Sequence, residues 1–296
     1  MQNHIEQFKD SMLQAGIIPP SSIIDDGQLH RFATNNKSSD AAGWYVLHAG
    51  HTPAGCFGDW RKDIVSSWCA KTKDNMTPRE RIEHMRLIAH ARAQRNQLRA
   101  QQQRAAMNKA QYIWDCAIPA SKDHPYLLKK RIPPFEAKQR GDNLVLPITS
   151  FDGEIQSLQF IHPDGSKRLL LNGAKKGRFI PVNGSLDNKH ILICEGFATG
   201  ATLATAYPDK CVITAIDAGN LKAVAVQVSK HNPRAKILIC ADDDRTTEGN
   251  PGLTKAREAA IASGADFTIP NWPFDAPLGL SDFNDLMCWQ TTRSAV

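Results

Sequence analysis

Three apolar runs between residues 190 and 245 constrain the fold of this chain more than any other feature. Ile191-Leu192-Ile193-Cys194 stops at Glu195-Gly196 and passes through Phe197-Ala198-Thr199-Gly200 into an Ala/Leu-rich helical stretch, 201–206. Cys211-Val212-Ile213-Thr214-Ala215-Ile216 closes on Asp217-Ala218-Gly219-Asn220, and Lys236-Ile237-Leu238-Ile239-Cys240-Ala241 closes on Asp242-Asp243-Asp244-Arg245. Runs without polar alternation, each followed by helical sequence, predict strands buried on both faces of a parallel sheet. In such sheets functional groups gather beyond the carboxyl ends of the strands.

That geometry brings Glu195, Asp242 and Asp244 to one edge although they lie far apart in sequence. In an extended segment residues i and i+2 point the same way, so Asp242 and Asp244 face one point while Asp243 faces elsewhere. Converging carboxylates with no lysine among them repel unless a divalent cation joins them, and hard oxygen ligands suit Mg²⁺ or Mn²⁺ and the phosphates those ions carry. A solvated strand end is the ordinary explanation for any one of these acids. The combination of Glu-Gly after one strand with Asp-x-Asp after another, inside one small α/β unit, favours a metal site.

The string ILICEGFATGATLATA, followed by TAIDAGNL and ILICADDDR…NPGLTKAREAA, resembles the Toprim domain shared by bacterial-type DNA primases, topoisomerases and some nucleases. It is most similar to the Toprim-type primases encoded by phages and plasmids. The resemblance implies a template-directed RNA polymerase that joins ribonucleoside triphosphates on single-stranded DNA. Mg²⁺ or Mn²⁺ would be held by Glu195, Asp242 and Asp244, and Asp282 and Asp285 match the acidic pair that such primases carry after Toprim. It also implies a protein of the bacterial cytoplasm encoded by a mobile element. Many primases of this type carry a zinc ribbon, but the seven cysteines here form no Cys-x₂-Cys pair and three of them lie inside predicted strands. They read as small core residues of a reduced protein, with no zinc.

Charge divides the chain. Lys plus Arg minus Asp plus Glu is −1 over residues 1–76, +5 over 77–118, +5 over 119–186 and −3 over 187–296, for a net +6. A basic surface beside an acidic metal site suits an enzyme acting on a polyanion. Residues 1–76 predict a small α+β domain: an amphipathic helix over 5–16, then four short strands carrying Phe32, Trp44, Tyr45, Phe57, Trp60 and Trp68. Aromatics in strands are ordinarily core; a base-stacking platform for single-stranded nucleic acid is the other reading. The segments IIDDGQLHRF and AGCFGDWR also resemble the opening of phage and plasmid primases.

Thr77-Pro78-Arg79-Glu80 supplies an N-cap, a proline at the first helical position and a capping-box glutamate. The helix it opens extends to about Cys116 as a basic connector, its middle polar all round. Residues 119–186 follow with Lys129-Lys130-Arg131 and a meander punctuated at Phe151-Asp152-Gly153 and Pro163-Asp164-Gly165. The string LVLPITSFDGEIQSLQFI…DGSKRLLLNG resembles the subdomain that precedes Toprim in primases and presents a basic face to template and nucleotide. Lys167, Arg168, Lys175, Lys176 and Arg178 are its candidate contacts, although a surface lysine or arginine is ordinarily only solvated. Asp217, Arg245 and Lys255 join the candidate nucleotide-binding set, Lys255 because it opens a helix whose N-terminal amides favour phosphate.

The expected architecture is therefore α/β, with a Toprim-like parallel sheet and C-terminal segment over 187–296. No run reaches the eighteen or so apolar residues of a membrane span, and Met1–Glu6 lacks the pattern of a signal peptide. No Gly-x₄-Gly-Lys-Ser/Thr loop occurs, so any helicase partner must be another chain. Two rivals share these features: a Toprim nuclease that uses the same acids to activate water, and a non-catalytic DNA-binding accessory of replication. The basic meander argues against the first and the intact acids against the second.

Overall fold

The computed structural model describes residues 3–35, 41–62, 64–71 and 75–294, which form two compact units, residues 1–101 and 102–296. In the first, helix α1 (His4–Gln14) precedes an antiparallel sheet in the order β1 (His30–Phe32), β2 (Gly43–His48), β3 (Ala54–Asp59), β4 (Ile64–Cys69). Strand alternation sends Tyr45, Leu47 and Phe57 to one face, where Phe8, Met12 and Ile17 cover them, and Trp44, Val46 and Cys56 to the other. Phe8 meets Phe57 edge-on at 5.5 Å between ring centroids. Phe32, Trp44, Tyr45 and Phe57 are thus core residues, while Trp60 and Trp68 are half-buried.

Helix α2 (Pro78–Cys116) starts as its sequence requires. Glu80 accepts from the Thr77 amide at 2.9 Å, the Thr77 hydroxyl accepts from the Glu80 amide at 3.3 Å, and Lys71 reaches Glu80 at 2.6 Å. The two units part inside this helix. Its first half places Ile88 and Ala91 on the Trp44 face of the sheet, and the Arg95 and Arg99 guanidiniums lie over the Trp44 and Trp60 rings at 5.4 and 5.7 Å. Its last turns place Ala106, Ala110 and Ile113, one helical face at i, i+4 and i+7, on Val145, Leu158 and Leu170.

The second unit opens with the antiparallel meander β5 (Ile118–Pro119), β6 (Lys138–Arg140), β7 (Asn143–Thr149), β8 (Ile155–Ile161), β9 (Lys167–Leu169), in that spatial order, with helix α3 (Pro125–Lys130) between β5 and β6 in the chain. A second sheet follows: β10 (Ile180–Asn183), β11 (His190–Cys194), β12 (Cys211–Thr214), β13 (Lys236–Cys240) and β14 (Asp266–Thr268). Its spatial order is β10-β12-β11-β13-β14, parallel throughout except for β10. Helices α4 (Phe197–Ala206), α5 (Ala218–His231) and α6 (Pro251–Ser263) are its crossovers, and α7 (Phe283–Ser294) ends the described chain.

Both faces of this sheet are dry. Leu192, Cys194, Val212 and Cys240 join the core that includes α4, whereas Ile191, Ile193, Ile213 and Ile239 join the one under α5 and α6. This explains the unalternating runs in the sequence. The chain leaves β11 toward β12 on one side and returns through α5 to β13 on the other. The strand order reverses at β11, and a crevice opens at such a reversal, beyond the carboxyl ends of the strands.

Candidate active site

Glu195 follows β11 and Asp242 follows β13, strands paired in register at Cys194 and Cys240, so the sheet itself delivers both carboxylates to the crevice. A cavity of about 180 Å³ lies there, lined among others by Tyr126, Lys130, Lys167, Glu195, Asp242 and Asp282. Gly196 caps α4 in extended conformation without a side-chain bond, and a Cβ on Gly196 would stand 3.4 Å from the Lys167 ammonium. The cationic tip of β9 therefore reaches the first turn of α4, beside Glu195.

Glu195 Oε1 and Asp242 Oδ1 are buried without a hydrogen-bond partner. Loss of hydration, then the charges of Asp244 and Asp217, push Glu195 up to about 7, against a backbone bond from Ala218 and the charge of Lys167. Loss of hydration, then the charges of Glu195, Asp282 and Asp244, push Asp242 up to about 8. Burial and then Asp285 raise Asp282 as well. The Ala218 amide is aimed at Glu195 by the turn after β12, in which Ile216 takes φ 78°, left-handed backbone that a β-branched residue adopts only under constraint.

The remaining acids have partners. Asp282 Oδ1 accepts from the Asp285 amide at 2.8 Å and so caps α7, while Asp285 binds the Lys130 ammonium at 3.1 Å and the Ser281 amide at 3.2 Å. Loss of hydration pulls Lys130 down, but Asp282 and Asp285 outweigh it and its pKa is raised. Lys167 is lowered, because crowding by protein outweighs Asp282 and Asp242 even though much of its side chain is exposed. Asp244 accepts from the Gly252 amide at 2.9 Å, drawing the start of α6 so close that a Cβ on Gly252 would lie 2.7 Å from the Asp242 carbonyl oxygen. Asp243 is turned inward and 6% exposed.

Not every candidate faces the cavity. Asp217 lines the cavity but is paired with Lys175 at 2.6 Å, and buried Asn220 ties the Lys175 loop down by donating to the Lys175, Arg178 and Ala215 carbonyl oxygens. Arg178 is half-buried, and Arg168 and Lys176 are exposed. Arg245 donates to the Pro277 and Leu280 carbonyl oxygens at 2.7 and 3.1 Å, so its guanidinium holds backbone. Lys255 pairs with Glu258 at 2.9 Å on the exposed face of α6. Tyr126, Lys130 and Thr199 line the cavity without having been singled out as site residues. Lys130 sits in the cationic trio 129–131, whereas nothing in the local sequence distinguishes Tyr126 or Thr199.

Among the described residues no three His, Cys, Asp or Glu are gathered closely enough to hold an ion unaided. The donor set still fits a hard divalent cation: Glu195 and Asp242 are oxygen ligands with buried, unpartnered atoms and charge that burial disfavours. Mg²⁺ completes its shell with water and substrate phosphate, so a partial protein cage is its usual arrangement. No helix among the described residues is long and apolar enough to cross a membrane.

Residues 190–292 match the family model of the Toprim domain, in agreement with the sequence motifs. The chain is 32% identical over 284 residues to DNA primase TraC of Escherichia coli, covering 90% of this chain and 26% of that protein. A second Escherichia coli DNA primase TraC is 29% identical over 281 residues, covering 90% and 19%. The chain thus spans about a quarter or less of the length of these curated relatives. Among solved structures, the DnaG primase catalytic domain bound to ssDNA is similar with a TM-score of 0.46 at 12% identity, covering 66% of this chain and 78% of that one.

Proposed function

We propose that this chain is a DNA primase that makes short RNA primers on single-stranded DNA from ribonucleoside triphosphates. The observation that carries the reading is the pairing of unpartnered, buried Glu195 and Asp242 oxygens with a cationic wall, Lys130 and Lys167, around one cavity. A nuclease needs the acids but not a wall that receives a triphosphate.

Glu195, Asp242 and Asp244 hold Mg²⁺ or Mn²⁺ in this reading, with Asp282 and Asp285 as the outer pair. What such ions supply when bound is activation of the 3′-hydroxyl and stabilisation of the departing pyrophosphate. Lys167 neutralises triphosphate at the mouth of α4, where the first backbone amides also favour anions. Arg168, Lys176 and Arg178 receive the template backbone. The Lys175–Asp217 pair and Asn220 keep that basic loop against α5. A helicase motor comes from outside residues 1–296, and the setting is the bacterial cytoplasm, on DNA of a phage or plasmid.

The test is incubation with single-stranded DNA, labelled ribonucleotides and Mg²⁺ or Mn²⁺. Oligoribonucleotides of a few residues that require template and metal are the expected product. No product with either ion overturns the reading, and metal-dependent cutting of the template without synthesis replaces it with a nuclease.

A further inference from the structure

Between Asp242 and Asp244, two of the three acids assigned to metal, stands Asp243, whose carboxylate faces away from them. Asp243 Oδ1 accepts from Asn250 Nδ2 at 2.7 Å, Oδ2 accepts from Trp272 Nε1 at 3.0 Å, and the Asp243 amide donates to the Ser281 carbonyl oxygen at 2.7 Å. Asn250 is committed on its other side, where Oδ1 accepts from the Asp244 amide at 2.9 Å. Arg245 stacks on Trp272 with its guanidinium carbon 4.2 Å from the ring centroid and donates to Pro277 and Leu280. The stretch 272–281 is thereby held to the loop 242–245 at Trp272, Pro277, Leu280 and Ser281. The residue after Ser281 is Asp282, which lines the cavity with Asp242.

Resting on the metal reading above, we propose that Asp243, Trp272 and Asn250 form a positioning lock that fixes the spacing between the Asp242/Asp244 loop and the Asp282/Asp285 loop, and so sets the affinity of the site for its divalent cation. The chemistry requires aspartate at the centre. Both inward neighbours of Asp243 are N–H donors, and a carboxylate accepts from both, whereas an asparagine would turn an amide group against one of them. A buried carboxylate that adds charge beside three others is a costly choice for packing alone. It makes sense where the alignment of those others depends on it. Outer partners that orient metal ligands typically change metal affinity or activity by about ten- to a hundredfold when removed.

The experiment uses the full chain and two variants, Trp272→Phe, which removes the Nε1 donor together with the pyrrole half of the indole and keeps a six-membered ring under Arg245, and Asp243→Asn. Mn²⁺ binding is followed by the electron paramagnetic resonance of the free ion, without substrate, and synthesis is then titrated with Mn²⁺. The expected result is a half-saturating Mn²⁺ raised by about tenfold in folded variants, with synthesis recovering toward wild type at high Mn²⁺. Folded variants that bind Mn²⁺ like wild type overturn the lock. If Asp243→Asn does not fold, Trp272→Phe decides alone. Wild-type chain that binds Mn²⁺ but makes no RNA refutes the primase reading, with the lock still judged by the binding curves; wild-type chain that binds no Mn²⁺ overturns both.

Discussion

Asn284, with no exposed surface, donates through Nδ2 to the carbonyl oxygen of Lys130 at 2.7 Å, joining α7 to the end of α3 across most of the second unit. The same nitrogen donates to the Thr202 hydroxyl on α4 at 2.9 Å. Replacing Asn284 by alanine leaves a buried carbonyl and a hydroxyl without that donor, which costs about 1–3 kcal/mol. Urea denaturation of Asn284→Ala should show a loss in this range, and a midpoint equal to wild type would mean that water replaces the amide.

Asp242→Asn and Asp244→Asn each remove one carboxylate charge without opening a cavity. Synthesis should fall by roughly a hundredfold or more, the scale of losing one partner of a charge-stabilised reaction site, while circular dichroism stays unchanged. Asparagine at 244 can still accept from Gly252, so α6 keeps its start. A variant with near-native synthesis would remove that residue from the metal set.

The raised carboxylates give a pH dependence with a definite sign. Glu195 titrates near 7 and Asp242 near 8 in the folded chain, from ordinary values of 4.5 and 3.8. A carboxylate whose folded pKa is raised contributes stability that is fully present below its unfolded pKa and is lost as pH rises through the folded one. Without metal, the melting temperature should therefore decline between about pH 5 and 8 on this account. A bound divalent cation offsets that repulsion, so Mn²⁺ should raise the melting temperature more at pH 8 than at pH 5.5. Scanning fluorimetry at both pH values checks this, and equal shifts would mean the ion binds away from these acids.

The last turns of α2 cover the Val145 and Leu158 face, both 0% exposed. A fragment 102–296 should fold, whereas 119–296 should aggregate or melt lower, since uncovering each such side chain costs about 1.5–3 kcal/mol. Expression of both fragments with thermal melts tests the boundary, and equal stability would show that the helix merely rests on the meander. We expect synthesis on a long template to persist in 102–296 at high enzyme concentration.

How far the sequence carries depends on whether a pattern is local. Three strands of the second unit's mainly parallel sheet follow directly from their unbroken apolar runs: β12 and β13 lie within the predicted segments and β11 begins one residue earlier, whereas the short β10 and β14 carry no such run. The four N-terminal strands are equally readable, because short aromatic and β-branched runs alternate with polar connections. The polar middle of α2 looked solvent-bound because arginine counts as polar, yet Arg95 and Arg99 lie over aromatic faces, which periodicity of apolar residues does not register. Arg245 next to the acids suggested a phosphate ligand; its partners are backbone oxygens some thirty residues downstream, at Pro277 and Leu280. Asn220, Asn284 and Trp272 act through side-chain hydrogen bonds to distant chain, and no spacing rule announces such bonds.

The turn at Ile216 carries a consequence for engineering. A non-glycine residue held at positive φ stores about 1–3 kcal/mol, yet Ile216 is 7% exposed and packed in the core that includes α4, and emptying such a site costs about 2–5 kcal/mol, so Ile216→Gly, the exchange that backbone strain alone suggests, should lower heat resistance. The same change frees the peptide that keeps the Ala218 amide directed at Glu195. Selection for heat resistance would thus keep Ile216, because the side chain that fills the core is the same one that holds the strained turn beside Glu195.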